Sequence, residues 1–565
     1  MIRLFDTHHT RISSELEGLW EFSPVDLLGE RPEEFPFKIP VPGCWETHPH
    51  FGAYRGKAVY RRIISVSSQT HIRLEFKGVS HTADVYFDGA LVTSHYNAYT
   101  SFDAVIPNVL AGEHEILVYV DNAFSDASAL HFPNDYYTYG GLIRPVVLEE
   151  ISDVYIENVM FTPLLQANQW NGQWKVKIRN ISQSAQQVQL VGELAGTESM
   201  LGQGELAPGE QVEFIQTVSY PEVLEWSLEK PNLYKLQAKL IVNELQIDDL
   251  IDRIGFRHIT TSNGKIRLNG QNINLKGVNR HEDHPLVGCS FPLPLMVRDI
   301  DLIQQMGCNA VRTSHYPYDE RFLDICDERG IVIWEENHAR GLSLEQMRNP
   351  NFAWQSEQVT REMVEQHFNH PSIIIWAILN ECASNTEEGR VHYAKQLGII
   401  GELDPSRPRS FASHHRDQEL CFDLAEIVSF NLYPGWYTDE NPFDLAKAAV
   451  QWANQMGGAG KPIIMSEFGA DGFYGFRSAN REKGSEERQA DILRHCLNAY
   501  LDSPDVCGMF IWQFSDCRVT EGEGWLLTRS CTRNSKGIVD EYRRPKLAYE
   551  VVRSMYREEN VDGHS

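Results

Sequence analysis

The stretch "SIIIWAILNECAS", residues 372–384, decides how the C-terminal half of this chain is read. From Ile373 to Asn380 it carries no charge, and it then stops on Glu381. An uncharged run rich in isoleucine fits a strand buried on both faces, as in a parallel sheet covered by helices. A carboxylate at the tip of such a strand is either an ordinary surface residue or a working one. The neighbouring segments separate the two.

Seven further segments of the same kind surround it: "INLKGVNRH" from Ile273, "NAVRTSHY", "IVIWEEN", "PRSFASH", "IVSFNLYPG", "KPIIMSEFG" and "VCGMFIWQF". Between them lie amphipathic segments such as "PLMVRDIDLIQQMG", "DERFLDICDERG", "FAWQSEQVTREMVEQHF", "DLAKAAVQWANQM" and "SEERQADILRHCLNAYL", and "PKLAYEVVRSMYREE" follows the last strand. Eight strands alternating with helices predict a (β/α)8 TIM barrel. No GxGxxG or P-loop opens any of the helices, which disfavours a doubly wound open sheet. Active sites of barrels sit at the carboxyl ends of the strands. Glu381 ends the fourth strand and Glu467, in "PIIMSEFGADG", ends the seventh, so the two carboxylates share one mouth.

Upstream, the pattern is one of short alternating stretches: "AVYRRIISV" (58–66), "HIRLEFKGV" (71–79), "TADVYFDGALV" (82–92) and "HEILVYVDN" (114–122). These read as an antiparallel sandwich, with Asp88-Gly89 as a hairpin turn. "KVKIRN", "QVQLVGEL" and "LYKLQAKLIV" belong to a second β-rich stretch with the length of an immunoglobulin-like sandwich, though without its cysteine and tryptophan pattern. The expected division is 1–150, 151–257 and 258–565.

Composition narrows the function. A 565-residue chain with 42% hydrophobic and 23% charged residues is ordinary globular material. No apolar run is long enough for a membrane span, and "MIRLFDTHHT" lacks the regions of a secretory signal, so a cytoplasmic location is expected. The 10 cysteines form no CxxC pair, which points to reduced thiols rather than disulfides or zinc. A formal net charge of −27 argues against a nucleic-acid partner. It also means that an anionic substrate would need local cations to hold it.

Two carboxyl groups at one strand mouth are the equipment of retaining glycoside hydrolysis, in which one attacks the anomeric carbon and the other, protonated, donates to the leaving oxygen. Glu381 is assigned as acid/base and Glu467 as nucleophile. The ionised nucleophile is expected to keep its neighbour protonated. Asn380 is placed to donate to a sugar hydroxyl near the reacting carbon.

Asn380-Glu381 and Ser466-Glu467-Phe468-Gly469 resemble the acid/base and nucleophile motifs of glycoside hydrolase family 2. "NGQNINLKGVNRHEDHP" and "NAVRTSHYPYDERFLDICDERGIVIWEE" resemble that family's first barrel strands, and "VPGCWE" and "DYYTYGGLIRPVVL" its N-terminal sugar-binding sandwich. The resemblance implies a jelly-roll domain, an immunoglobulin-like domain and a catalytic barrel. Within the family the likeness is to β-glucuronidases, because Asn534-Ser535-Lys536 resembles the Asn-x-Lys motif that grips a uronic acid carboxylate. One departure is visible: those enzymes carry an arginine shortly before that motif, where this chain has Ser530, with Arg529 and Arg533 beside it.

The resemblance also marks His315, Tyr433, Tyr437 and, from the first domain, Asp135 as sugar-contacting residues, while Trp512 at the end of the eighth strand is placed to stack on a pyranose face. Arg340, in the loop after the third strand, is read as a second cation facing the sugar that broadens activity toward β-galacturonides. Glu282 and His284 resemble magnesium ligands of bacterial β-galactosidases, but hydrolysis by two carboxylates needs no metal, and neither metal nor cofactor is expected. The expected substrates are terminal β-D-glucuronides, with a β-galacturonidase or dual-specificity uronidase, a β-galactosidase or β-mannosidase and a noncatalytic sugar-binding protein as alternatives. A homo-oligomer is expected.

Overall fold

The largely apolar strands close into a ring. The computed structural model describes residues 2–522 and 524–562. Its parallel strands are β1 (Leu275–Arg280), β2 (Ala310–Thr313), β3 (Val332–Glu336), β4 (Ile373–Ala377), β5 in two pieces (Arg409–Ser410 and Ala412–Ser413), β6 (Val428–Asn431), β7 (Ile463–Phe468) and β8 (Val506–Ile511). β1 pairs with both β2 and β8, while one piece of β5 bonds to β4 and the other to β6. The fifth strand, interrupted at Phe411, is therefore what completes the barrel.

Helices Leu293–Gln305, Glu320–Arg329, Phe352–Gln366, Glu387–Leu403, Pro442–Gln455 and Glu486–Leu501 join the strands, and Leu547–Asp562 follows β8. Their ends are set by local chemistry: the Asp319 and Ser485 side chains cap the second and the last of the joining helices, and Gly330, at φ +66°, ends the second in the left-handed conformation. The strict alternation expected from sequence fails once. Between β5 and β6 the described residues form only the 3-10 turns Arg416–Gln418 and Phe422–Leu424, because that connection has isolated apolar residues without a helical period. Helix Glu387–Leu403 carries Gly389, Gly398 and Gly401, which weaken its sequence signal.

Inside the barrel, Phe510 lies over Gly277, where any Cβ would sit 2.4 Å from the ring, and Trp334 meets Phe510 edge-on at 5.9 Å. Below this layer, the small antiparallel sheet Ile259–Ser262, Lys265–Leu268 and Gln271–Ile273 leads into β1 and supplies Ile259, Ile266 and Leu268 to the same apolar cluster. The bottom of the barrel is thus plugged, and only the upper mouth is left for chemistry.

The first domain is a jelly-roll sandwich of a four-stranded and a six-stranded sheet over a core containing Trp20, Trp45, Tyr60 and Val118. Its hairpin Thr82–Phe87/Ala90–Tyr96 turns at Asp88 and Gly89, both with positive φ, as the Asp-Gly pair requires. The second domain is an immunoglobulin-like sandwich of three and four strands around Trp174, Phe161 and Phe256. Buried Arg11 ties the two together, donating to Glu149 (2.8 Å) and Asp248 (2.7 Å). Tyr99, Leu130, Tyr136 and Tyr139 of the first domain pack into the barrel's own core cluster, which brings the loop around Asp135 to the strand tips. Among the described residues no helix is long and apolar enough to cross a membrane.

Candidate active site

Above the Trp334 and Phe510 layer sits one guanidinium. Arg312 of β2 is fully buried, 5.2 Å over the Trp334 ring, and donates in four directions. Its Nε and Nη2 grip both oxygens of Glu336 (2.8 and 3.0 Å), Nη1 reaches Asn279 Oδ1 (2.9 Å) and Glu467 Oε1 (2.8 Å), and Nη2 reaches Asn380 Oδ1 (2.7 Å). A charge this deep persists only when its donors are satisfied, so Arg312 fixes the positions of its partners.

Glu467 faces inward because β7 is irregular. The pairing steps from Phe430–Met465 to Asn431–Glu467, so Ser466 is skipped and strict alternation is lost. A bulge of this kind re-aims a side chain. Ser466 donates to Asn431 Oδ1 (2.7 Å), while Glu467 accepts from Arg312 and, on Oε2, from the Tyr433 hydroxyl (2.7 Å).

Glu381 lies beyond its strand rather than at its end: β4 stops at Ala377, and both Leu379 and Glu381 have positive φ (+45° and +52°). Such non-glycine conformations cost about 1–3 kcal/mol each and are held here by surrounding bonds. Asn337 accepts from the Leu379 amide (3.0 Å), and the Glu381 amide donates to the Ala412 carbonyl (3.0 Å). The Glu381 carboxylate accepts from Asn431 Nδ2 (2.9 Å) and lies 3.7 Å from Arg340 and 3.6 Å from His414. Asn431 therefore bridges the two glutamates' supports.

The electrostatics of the free site run opposite to the sequence expectation. Burial pushes the Glu467 carboxyl up, the nearby Glu381 adds to this, and Arg312 and Tyr433 only partly offset it, leaving it at about 7. Burial opposes ionisation of Glu381 too, but His414, Arg340 and Asn431 outweigh it and hold that carboxyl below the usual range. Below about pH 7 the proton of the pair is thus drawn toward Glu467.

Asp135 from the first domain anchors a group of cations. Arg529 Nη2 donates to its Oδ2 (2.9 Å), as does Asn534 Nδ2 (3.2 Å), and Arg340 Nη2 lies 3.3 Å from its Oδ1. Arg529 thereby enters the site from one position before Ser530, whereas Arg533 turns away to Glu541 (3.0 Å). Lys536 is 1% exposed, pairs with Asp471 (3.2 Å), and has the Trp436 and Tyr437 rings at 5.4 and 5.3 Å. Tyr437 itself is 60% exposed, on the rim rather than in the depth of the site.

His315 donates Nδ1–H to Glu336 (2.6 Å), and burial together with Arg312 holds its pKa down, so the ring is neutral and Nε2 is an acceptor, 4.0 Å from Glu467. Trp512 stacks on His315 at 5.1 Å, which makes its visible job the support of that imidazole. Among the described residues, four buried polar atoms here find no hydrogen-bond partner: Asn380 Nδ2, Arg340 Nε, Arg529 Nε and His315 Nε2, while Asp135 Oδ1 has only its ion pair with Arg340. Donors and acceptors left open together at a strand mouth suit a polyhydroxylated ligand. Glu282 accepts from Arg144 (3.0 Å), and His284 accepts from the Leu286 amide (3.2 Å); among the described residues neither belongs to a cluster of three metal-capable side chains.

Sequence reasoning missed Arg312, Glu336, Asn431, Asp471 and His414. A signal existed for the first two, since "NAVRTSHY" and "IVIWEEN" carry charges inside strands otherwise apolar.

Family descriptions match along the chain: glycosyl hydrolases family 2, TIM barrel domain, over residues 259–561, glycosyl hydrolases family 2 over 154–257, and glycosyl hydrolases family 2, sugar binding domain, over 34–151. A β-galacturonidase of the same family from Eisenbergiella tayi, solved bound to galacturonate, is 46% identical, with 99% of each chain covered and a TM-score of 0.95. β-Glucuronidase of Paenibacillus borealis is 26% identical over 97% of each chain, and that of Homo sapiens is 26% identical over 97% of this chain and 91% of the other.

Proposed function

The chain belongs to glycosyl hydrolases family 2 and is a glycoside hydrolase, and from that premise we propose that it is a retaining, exo-acting β-D-uronidase built as a jelly-roll unit (1–150), an immunoglobulin-like unit (151–257) and a barrel (258–565). The observation that carries the substrate class is the group of buried cations at the strand tips. Lys536, Arg340 and Arg529 stand around Asp135 and Asp471 on the catalytic face of a chain whose net charge is −27. A neutral hexose offers nothing to pair with them, whereas a C6 carboxylate does.

In the first step the Glu467 carboxylate attacks C1 while the C1–O bond breaks and the Glu381 proton passes to the leaving oxygen. In the second, Glu381 takes a proton from water, the hydroxide attacks C1, and Glu467 is released. Chemistry therefore needs the proton on Glu381, the reverse of its resting place. A uronate that pairs with Arg340 weakens one of the positive charges that keep Glu381 ionised, while Arg312 keeps its hold on Glu467. The proton then moves from one glutamate to the other, and no external acid is consumed. Asn380 Nδ2 and His315 Nε2 are free to meet sugar hydroxyls during both steps.

Glucuronides come first on sequence motifs, and a second reading has its own support. The 46% likeness to a β-galacturonidase over nearly the whole chain exceeds the 26% likeness to the β-glucuronidases, and Arg340 stands between Asp135 and Glu381 with Nε unengaged. In this reading Arg340 serves the axial C4 hydroxyl, and galacturonides are accepted alongside glucuronides. A panel of aryl β-glycosides differing only at C4 and C6, run on wild type and Arg340→Ala, tests both levels. Uronides should be preferred over neutral sugars, and the variant should lower the galacturonide-to-glucuronide ratio by about 1–3 kcal/mol. Preference for a neutral sugar would sink the uronidase reading. An unchanged ratio would sink the role of Arg340.

A further inference from the structure

The loop after β8 carries a feature that hydrolysis of the uronic acid ring does not use. Trp525 lies in the short 3-10 turn Gly524–Thr528 and is 49% exposed, while its neighbour Leu526 is buried and anchors the turn. The loop is pinned to the first domain ahead of the turn. The Thr520 amide donates to the Asn134 carbonyl (3.1 Å), and the Asn134 amide donates to Thr520 Oγ1 (3.3 Å). After the turn, Arg529 is held by Asp135. The indole is thus presented from a fixed base.

Its position relative to the chemistry follows from two guanidiniums. Arg529 Cζ is 5.5 Å and Arg340 Cζ 5.8 Å from the Trp525 ring, within cation–π range of both. Arg340 in turn lies 3.7 Å from the Glu381 carboxylate. Glu381 is the group that meets the leaving oxygen, so the leaving group departs past Glu381 and along Arg340, toward the exposed indole. Across the mouth stands Tyr437, its ring 5.1 Å from that of Tyr433, which holds Glu467.

We propose that Trp525 is the platform of an aglycone subsite, and that this subsite takes a planar aromatic leaving group, such as a phenolic aglycone, rather than another sugar. This rests on the uronidase reading above and extends it to the other side of the scissile bond. A flat aromatic ring covers a half-exposed indole without leaving polar groups unpaired, whereas a second pyranose would set its hydroxyls against the Trp525 face. The guanidiniums below the indole hold it in place, so little side-chain freedom is lost when a ring settles on it.

The test compares a phenyl uronide, a methyl uronide and a uronic-acid-terminated disaccharide on wild type, Trp525→Ala and Trp525→Phe, together with inhibition by the free uronic acid. Trp525→Ala should lower kcat/KM for the phenyl uronide relative to the methyl uronide roughly tenfold, chiefly through KM, and Trp525→Phe should restore part of it. Free uronic acid should inhibit all three proteins alike, because its own site is elsewhere. A ratio of phenyl to methyl uronide that does not move, or a loss borne by the disaccharide instead, overturns the proposal while leaving the uronidase reading intact. Weakened inhibition by free uronic acid in Trp525→Ala overturns it as well, since the residue would then serve the sugar site. A wild type that hydrolyses none of the uronides removes both readings at once.

Discussion

Glu467→Gln separates the cost of burying the proposed nucleophile from its use. The carboxyl is buried at the barrel mouth and its pKa is raised from 4.5 to about 7, which at about 1.4 kcal/mol per unit is about 3 kcal/mol. A carboxyl whose folded pKa lies above its unfolded one contributes stability that is fully present below pH 4.5 and is lost as pH rises through about 7. The protonated glutamate and glutamine are nearly isosteric. At pH 4.5 wild type and variant should therefore be equally stable, and by pH 7.5 the variant should be more stable by about 3 kcal/mol. Glu381 does not blur the comparison: its pKa is depressed, so its contribution is present throughout this window and is lost only at lower pH. Other titrating groups are common to both proteins and cancel. Urea unfolding of the two proteins from pH 4.5 to 8, followed by tryptophan fluorescence, gives the difference directly. A gap that is flat with pH, or that shrinks as pH rises, refutes the reasoning about burial. The same variant should be inactive, and turnover above a few per cent of wild type would remove Glu467 from its assigned role.

Other outcomes follow from the same geometry. Glu381→Gln should slow glycosides with poor leaving groups far more than activated aryl glycosides, which need little protonation; equal losses on both would place the acid elsewhere. Lys536→Ala should lower kcat/KM for a uronide by about 2–4 kcal/mol, the cost of leaving a desolvated carboxylate unpaired. A neutral aryl glycoside should be spared, and an equal drop on both would make Lys536 a structural partner of Asp471.

How much of this was readable in advance depended on what each residue's placement requires. The barrel was legible because the strands are largely apolar and the helices amphipathic, both of which are local patterns. Glu381 and Glu467 stood out as carboxylates terminating such patterns. Their mode of presentation did not: Glu467 turns inward through a skipped pairing in β7, and Glu381 through two left-handed residues after β4, and neither device has a residue-type signature there. The bias of the free site's proton toward Glu467 was not legible for a related reason. Sequence shows two carboxylates but not that Arg340 and His414 converge on Glu381 while Glu467 is the more deeply buried of the two. Arg529 illustrates a third case, in which the expected cation arrives from a neighbouring position because the loop, with Cys531 and Thr532 both at positive φ, is re-routed.

Asp135 reaches the strand tips from a domain that ends more than a hundred residues before the first barrel strand. The catalytic centre is consequently a property of the docked assembly and not of the barrel. During synthesis the sandwich leaves the ribosome first, and on this reading turnover should begin only after the two have met. An excised barrel should retain its glutamates and still be silent, and adding the separate sandwich back in trans would turn hydrolysis into a direct readout of domain association.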